Sequence, residues 1–276
     1  MDDPQIQLLL LRSCLSSCKI NNLLRTVPPN KGIQQLAKFD SNLRVCLDAI
    51  IRCSTSDMSW LQASLPVRQG GLGLREAVRM SSSAFIGSCN SVRSLCSRLL
   101  PTTPLLEESV LNSNYSSPDF SAFPGESAAK DHIRSLVPDS LDTIDLTSSS
   151  RRNLQRLLDT KLSTTILEKA SLRDRARLNT ISAPHAGAWL RAIPNPNLSL
   201  AMPQREEFII AVRTCLGIPF FPPPPSSKRC SCGQVLDSYG DHLLGCGEGN
   251  WRNRRHNVLA DVAFEALLSD NANLSS

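Results

Sequence analysis

Residues 230–246 read CSCGQVLDSYGDHLLGC and place three cysteines and one histidine within one short segment. Closed structural zinc sites bind the metal tetrahedrally through thiolate sulfur and imidazole nitrogen. His242 and Cys246 are four residues apart, so one helical turn points both side chains the same way. Gly233 permits a sharp chain reversal after the first two cysteines. The sequence therefore predicts a structural zinc site with the ligands Cys230, Cys232, His242 and Cys246.

Two alternatives to this ligand set stay open at the level of sequence. The chain has ten cysteines, and some of them can cluster by chance in a small apolar core. In the second alternative, His256 replaces one of the four ligands. A catalytic zinc is not expected, because four protein ligands leave no open coordination position. Asp241 is expected to lie outside the coordination shell and to orient His242 by accepting a hydrogen bond from it.

The composition favours a helical protein of the cell interior. The chain of 276 residues has room for about two domains, and only 5% of its residues are aromatic. No stretch has the length and apolarity of a membrane span, and the apolar run 8–11 follows two aspartates instead of the positive charge of a secretory signal. Cysteines outside the predicted zinc site are spaced on apolar helix faces, which predicts small core residues in a reduced nuclear or cytoplasmic protein.

Apolar periodicity and turn residues divide the chain into mainly α-helical domains. Helices are predicted over residues 5–25, 33–52, 75–100, 126–136, 151–179 and 204–216. Asp2 and Asp3, followed by a proline, indicate the first helix start, and Ser150 is the expected N-cap of the helix 151–179. The stretch 101–125 is rich in Pro, Ser, Thr and Asn and is expected to be a linker. The predicted domains are a helical domain 1–100, the linker 101–125, a helical domain 126–221, a proline spacer with the zinc site 222–250, and the start of a further domain 251–276.

Three glycines lie in the run VRQGGLGLR, from Val67 to Arg75, just before a predicted helix. Backbone N–H groups at a helix start can bind phosphate, and a phosphate cradle is one interpretation of these glycines. A tight turn that lets a helix pack closely is the other. The run lacks the dinucleotide fingerprint and the P-loop lysine, so neither nucleotide-binding fold is supported. Arg75 and Arg79 are candidates for contact with a phosphate backbone.

The strongest nucleic-acid signal is the segment WRNRRHN, residues 251–257, which follows the predicted zinc site. The net charge of +5 permits an acidic partner but does not require one. Evidence for nucleic-acid binding therefore has to come from local clusters of positive charge. Arginine pairs with phosphate, and both rings can stack on bases. The candidate contacts are Trp251, Arg252, Arg254, Arg255 and His256. A basic, solvated helix start is the alternative.

Two further arginine clusters, at residues 151–152 and 173–177, also favour a phosphate-facing surface. Cations near the end of a helix have a structural explanation as well, because they interact favourably with the helix dipole.

Several of these stretches together resemble one family. LLLLRSC (8–14), LPVRQGGLGLR (65–75), LGIP (216–219), the knuckle 230–246 and RHN (255–257) are similar to the region after the polymerase palm in non-LTR (LINE-type) retrotransposon reverse transcriptases that carry a restriction-like endonuclease. The resemblance covers nearly the whole chain. It implies a thumb-like helical domain that grips template and primer, a helical linker, and a zinc knuckle that holds target DNA or element RNA. It also implies that Arg255, His256 and Asn257 open the endonuclease domain.

The chain departs from this family in ways that bear on activity. The Cys-to-Cys and His-to-Cys spacings of the knuckle are slightly short. No Phe/Tyr-x-Asp-Asp motif occurs, so the carboxylates of two-metal nucleotide addition are missing, and the endonuclease carboxylates would lie beyond Ser276. The resemblance therefore implies a fragment that binds RNA or DNA without its own catalytic residues, for which another chain would supply the palm. A zinc-stabilised protein-interaction module and a decayed remnant without activity are the competing hypotheses.

Overall fold

The computed structural model describes residues 3–99, 123–138, 145–192, 205–221 and 229–248, together with Asn253 and Asn257. Within these ranges the chain forms helices and no strand or sheet, which confirms the predicted mainly α fold. One isolated antiparallel bridge joins Arg229 and Val235. None of the helices in these ranges combines the length and the apolarity that crossing a membrane requires.

The helices are numbered in the order in which they follow along the chain. The α-helices are α1 (Pro4–Leu10), α2 (Ser17–Thr26), α3 (Ile33–Ile51), α4 (Asp57–Ser64), α5 (Ala77–Leu99), α6 (Glu126–Leu136), α7 (Arg151–Lys169), α8 (Leu172–Ile181), α9 (Arg205–Leu216) and α10 (Asp241–Gly245). A π-helical turn covers Leu11–Leu15, and 3-10 turns cover Pro29–Lys31, Val67–Gln69 and Ala188–Leu190. As predicted, Ser150 caps α7 through a side-chain oxygen that accepts a backbone N–H group. Asp3 caps α1 in the same way, at the helix start that the sequence predicted near Asp2 and Asp3.

The chain divides into two compact units, residues 1–216 and residues 217–276. The first unit spans both helical domains that the sequence predicted on either side of 101–125, so that stretch does not separate two cores. The reason is that α5, which precedes it, shares one apolar cluster with α6 and α7, which follow it. This cluster contains Phe85, Ile86 and Cys89 of α5, Ala129 and Ile133 of α6, and Leu154 and Leu158 of α7.

Helix α5 lies at the centre of the first unit. Its first two turns pack on α2 and α3 in a second apolar cluster that contains Leu24, Leu36, Ala77, Met80 and Ala84. Small side chains follow along the same helix, because residues 81–83 are buried serines. A Cβ atom at Gly87 would lie only 2.5 Å from the Cβ of Arg151. The small residues of α5 therefore allow the start of α7 to approach its backbone closely.

Two predicted helices are each interrupted at a serine. The prediction of one helix over 5–25 is wrong, because Ser16 leaves the helical backbone conformation and its Oγ donates to the carbonyl of Arg12 at 2.6 Å. The prediction of one helix over 151–179 is also wrong. Ser171 starts the separate helix α8, and its Oγ accepts the N–H of Asp174 at 3.1 Å. Serine side chains compete in this way with the backbone hydrogen bonds of a continuous helix.

The arginines near residue 175 hold helix ends together, in line with the structural explanation of that cluster. Arg175 donates to the carbonyls of Leu167 and Glu168, at 3.1 and 3.2 Å, in the last turn of α7. Carbonyls in the last turn of a helix lack the usual N–H partner four residues further on, and that of Leu167 also accepts the N–H of Ala170 at 3.3 Å. Arg177 donates to Oε1 of Gln62 at 3.0 Å and to the carbonyl of Cys215.

The cysteines outside residues 230–246 differ in exposure, and all ten thiols of the chain are free. They comprise the buried Cys89 and Cys215, the partly buried Cys53 and Cys96, and the exposed Cys14, Cys18 and Cys46. The expectation that they are small core residues is therefore right for the first pair and wrong for the exposed three. Their helical spacing alone did not determine which face of the helix becomes buried.

The glycine run at residues 70–73 forms a tight turn. All five backbone N–H groups from residue 70 to residue 74 donate to carbonyl oxygens of residues 63–67, at 2.9–3.2 Å. These groups are therefore not available to an anion, and the phosphate-cradle interpretation is wrong. A Cβ atom at Gly71 would lie 2.1 Å from the carbonyl oxygen of Leu65. The absence of a side chain at this position is what lets the turn close.

We expect Gly71→Ala to lower the free energy of unfolding by about 3 kcal/mol or more, because the added methyl group collides with a backbone carbonyl that cannot move independently. Gly32→Ala is the matched control, since no atom lies within 4 Å of a Cβ at that position and an Ala there costs roughly 1 kcal/mol or less. Urea unfolding followed by circular dichroism measures both changes. Equal stability of the two variants would contradict the close approach at Gly71.

Asp40 of α3 caps the start of α5. Its carboxylate oxygens accept the backbone N–H groups of Ala77 at 2.7 Å and Val78 at 3.0 Å. The side chain is buried, and burial raises the pKa of Asp40 from 3.8 to about 6. The two backbone hydrogen bonds act in the opposite direction, and the nearby Glu76 adds to the rise. The carboxyl group of Asp40 thus joins α3 to α5, and burial makes its charged form less favourable than its neutral form.

This raised pKa predicts a pH dependence of stability. Because the folded-state pKa lies above the unfolded value, the contribution of Asp40 is fully present below pH 3.8 and is lost as the pH rises through 6. The loss amounts to roughly 2–3 kcal/mol. Urea unfolding of wild type and Asp40→Asn between pH 4 and pH 7 isolates this group, because all other titrations are common to both proteins. Stability curves that run parallel over this interval would refute the prediction.

Candidate metal centre

The first two predicted ligands lie in a tight reversal of the second unit. Gly233 donates its N–H to the carbonyl of Cys230, and Cys230 donates its N–H to the carbonyl of Gln234, both at 2.9 Å. The φ angle of Gly233 is 86°, in the left-handed region that glycine adopts without strain. The reversal therefore forms the knuckle that the position of Gly233 predicted.

The second two predicted ligands lie at either end of one helical turn. Helix α10 starts after Gly240, whose φ angle is 75°. The N–H of Cys246 donates to the carbonyl of His242 at 2.8 Å and closes the turn. The four-residue spacing thus brings His242 and Cys246 together as the sequence predicted.

All four predicted ligands converge on one point. Their ligand atoms lie within 4.8 Å of one another. Sγ of Cys230 is 3.6 Å from Sγ of Cys246, and Sγ of Cys232 is 3.2 Å from Nε2 of His242. Three sulfur atoms and one imidazole nitrogen in this arrangement can bind a metal ion.

The electrostatics of the knuckle favour a thiolate at Cys230. The hydrogen bond from the backbone of Cys232 lowers the pKa of Cys230 from 9.0 to about 6, and the side chain of His242 adds to this effect. Thiolates, and not thiols, are the form in which cysteine binds metals. This lowered pKa favours the metal-binding form of Cys230 at neutral pH.

Asp237 organises the segment that carries His242, although it was not among the predicted site residues. Its carboxylate accepts the backbone N–H groups of Tyr239, Asp241 and His242 at 2.9, 3.0 and 2.7 Å. Against the effect of burial, these hydrogen bonds lower the pKa of Asp237. Asp241, which was expected to orient His242, is the exposed first residue of α10. An aspartate shortly before a glycine and a helix start is the turn signal that identifies Asp237.

Arg75 and Arg79, which the sequence suggested as phosphate contacts, both lie in ion pairs. Nη2 of Arg75 is 2.8 Å from Oδ2 of Asp159 in α7, and Nε of Arg79 is 3.2 Å from Oε2 of Glu76. Both arginine side chains are largely covered, with 18% and 23% of their surface exposed. Arg75 precedes α5 while Arg79 lies in its first turn, so the two arginines do not form a pair on one helix.

The basic segment after the knuckle lies outside the residues that the structure describes. This applies to Trp251, Arg252, Arg254, Arg255 and His256. Their contacts with nucleic acid, and the role of His256 as a substitute ligand, stay predictions.

Comparison of the chain with protein-family models, with curated proteins and with solved structures found no match.

We expect the wild-type protein to bind one metal ion per chain, and Cys232→Ser to weaken binding because it removes one of four ligands. Asp237→Ala should weaken binding by roughly 10–100-fold, the usual cost of losing a group that orients a ligand, and Cys232→Ser by more. Cys46→Ser is the control, because Cys46 is an exposed thiol outside the cluster. Competition titrations of Zn²⁺ with a chromophoric chelator measure all four proteins. Wild-type affinity in Cys232→Ser would rule out this ligand set.

Proposed function

We propose that this chain is a zinc-stabilised nucleic-acid-binding protein. The observation that carries the proposal is the convergence of Cys230, Cys232, His242 and Cys246 on one metal-binding point. The arginine-rich segment 251–257 begins five residues after the last of these ligands in the sequence. A metal-ordered knuckle directly before a basic segment is an arrangement that suits the binding of a phosphate backbone.

Zinc is the metal that the donor set favours. Thiolate and imidazole ligands select zinc over calcium and magnesium, which prefer oxygen. A tetrahedral zinc ion with usual bond lengths separates two sulfur ligands by about 3.8 Å, and sulfur from nitrogen by about 3.5 Å. The distances of 3.6 Å and 3.2 Å between the paired ligand atoms are close to these values. Four protein ligands close the coordination shell, which supports a structural role for the ion and not a catalytic one.

The segment 251–257 supplies the chemistry for binding nucleic acid. Arg252, Arg254 and Arg255 can each form bidentate hydrogen bonds with a phosphate group. Trp251 and His256 carry rings that can stack on exposed bases. Three cations and two rings within seven residues favour a single-stranded or locally opened strand, whose bases are accessible to the rings.

The resemblance described above gives this proposal a biological setting. We propose that the chain corresponds to the thumb, linker and zinc-knuckle region of a non-LTR retrotransposon reverse transcriptase. Its mainly α fold and its LPVRQGGLGLR run, residues 65–75, support this proposal. Since the sequence has no Phe/Tyr-x-Asp-Asp motif, the contribution of this region is to hold template, primer or target strands and not to add nucleotides.

We expect the protein to bind a structured RNA and a DNA duplex in a salt-dependent manner, and zinc removal to weaken that binding. The variant Arg252→Gln/Arg254→Gln/Arg255→Gln should lower the slope of log K against log salt by about 2–3, because each lost phosphate contact lowers it by roughly 0.7–0.9. Fluorescence anisotropy titrations at several salt concentrations measure this slope.

The control variant removes the same number of positive charges at exposed positions that lie far from this segment in the sequence. Lys31→Gln/Lys38→Gln/Arg98→Gln meets this condition, and its salt slope should stay close to that of the wild type. A wild-type protein that binds neither nucleic acid, or that binds without dependence on salt and zinc, would overturn the proposal and favour a protein-interaction module.

A further inference from the structure

A strongly basic cleft of about 740 Å³ lies in the first unit, residues 1–216. It is lined by both ends of the turn at residues 66–75, by Met80 of α5, by the first turns of α7 and by Arg191, which follows the 3-10 turn Ala188–Leu190. Six arginines line it: Arg68, Arg75, Arg151, Arg152, Arg156 and Arg191. We refer to it as the arginine cleft.

The positive charge of the arginine cleft is poorly compensated. Asp159 is the one acidic residue among those that line it, and it already pairs with Arg75 at 2.8 Å and accepts a hydrogen bond from Gln155 at 2.9 Å. Arg68, Arg152, Arg156 and Arg191 are exposed, and no ion pair or hydrogen bond joins their guanidinium groups to any residue in the described ranges. Four guanidinium groups are therefore available to an external anion.

Like charges also lie near one another in the arginine cleft and beside it. Burial, followed by the charges of Arg25 and Arg75, lowers the pKa of Arg151. Burial and then the charge of Arg191 lower the pKa of Arg12, whose Nη1 is buried without a hydrogen-bond partner. Like charges held this close raise the free energy of the folded chain unless an anion compensates them.

Packing, and not chance exposure, fixes the cleft. The missing side chain at Gly87 lets the backbone of Arg151 lie against α5, and Nη1 of Arg151 donates to Oδ1 of Asn21 at 2.6 Å. Arg152 and Arg156 are four residues apart on α7, so their side chains stand about one helical turn apart on the same face. Arginine is also the residue whose planar group fits phosphate oxygens bidentately.

We propose that the arginine cleft binds phosphate groups, those of a nucleic-acid backbone in preference to free phosphate compounds. This inference rests on the proposed nucleic-acid binding and adds a contact surface in the first unit to the segment 251–257. It assigns a ligand to Arg68, Arg152, Arg156 and Arg191, which the sequence did not single out as a group.

The test compares two triple variants that remove the same charge from exposed positions. The variant Arg68→Gln/Arg152→Gln/Arg156→Gln removes three of the four available guanidinium groups from the cleft. Lys31→Gln/Lys38→Gln/Arg98→Gln is the matched control. Anisotropy titrations with a single-stranded RNA and a DNA duplex should show a salt slope lower by about 2–3 in the cleft variant only. Thermal unfolding without ligand verifies that both variants remain folded.

A second arm identifies the source of the phosphate. Tripolyphosphate at constant ionic strength should raise the melting temperature of the wild type and of the control more than that of the cleft variant, because it relieves repulsion only where the arginines remain. If tripolyphosphate distinguishes the variants while the oligonucleotides do not, the cleft is a phosphate site for free phosphate compounds. Identical behaviour of the cleft and control variants with every ligand would overturn the inference.

The two proposals fail in different ways. If the wild type binds nucleic acid, and only the variant of Arg252, Arg254 and Arg255 loses it, the proposed function stands and the arginine cleft is refuted as its contact surface. If the wild type binds no nucleic acid but tripolyphosphate still separates the cleft variant from the control, the proposed function fails and the phosphate site remains.

Discussion

The close approach of α7 to α5 at Gly87 is the constraint on which most of the first unit depends. A side chain at this position would overlap the backbone of Arg151, since a Cβ would lie 2.7 Å from both its N and Cα atoms. Because the two backbones come this near, Leu154 and Leu158 of α7 reach the apolar cluster of α5 and α6. The same contact sets the position of the arginines at the start of α7. A single small residue thus determines both a core and a charged surface.

The described part of the second unit, residues 217–221 and 229–248, is held together by other means. Among these residues, the buried apolar side chains are Ile218 and Cys246, which contribute little hydrophobic stabilisation to this part of the chain. Backbone hydrogen bonds supply part of the order, because Phe220 and Phe221 both donate to the carbonyl of Ser238. A metal ion that joins residues 230, 232, 242 and 246 would supply the rest. Metal-binding free energies of roughly 10–16 kcal/mol exceed what so few apolar contacts provide.

The parts of the structure that the sequence predicted correctly depend on local chemistry. Ligand spacing predicted the convergence of Cys230, Cys232, His242 and Cys246, and Ser150 was identified as a cap from its own position. The failures involve packing between distant residues or competition between side chain and backbone. Nothing near 101–125 in the sequence indicates that α5 and α7 share a core. Ser16 and Ser171 interrupt helices because their hydroxyl groups form alternative hydrogen bonds, which apolar periodicity does not detect.

The arginines show most clearly why sequence alone could not identify the charged surface. Arg175 and Arg213 have the same chemistry as Arg152 and Arg156, yet they donate to carbonyls at helix ends: Arg213 reaches the carbonyls of Ile51 and Arg52 at 2.9 and 2.6 Å. A guanidinium group that donates to backbone carbonyls at a helix end already has hydrogen-bond partners within the fold. An exposed one without a partner in the described part of the chain is available to bind an external anion. What separates the two roles is the set of neighbours that tertiary packing brings to each arginine.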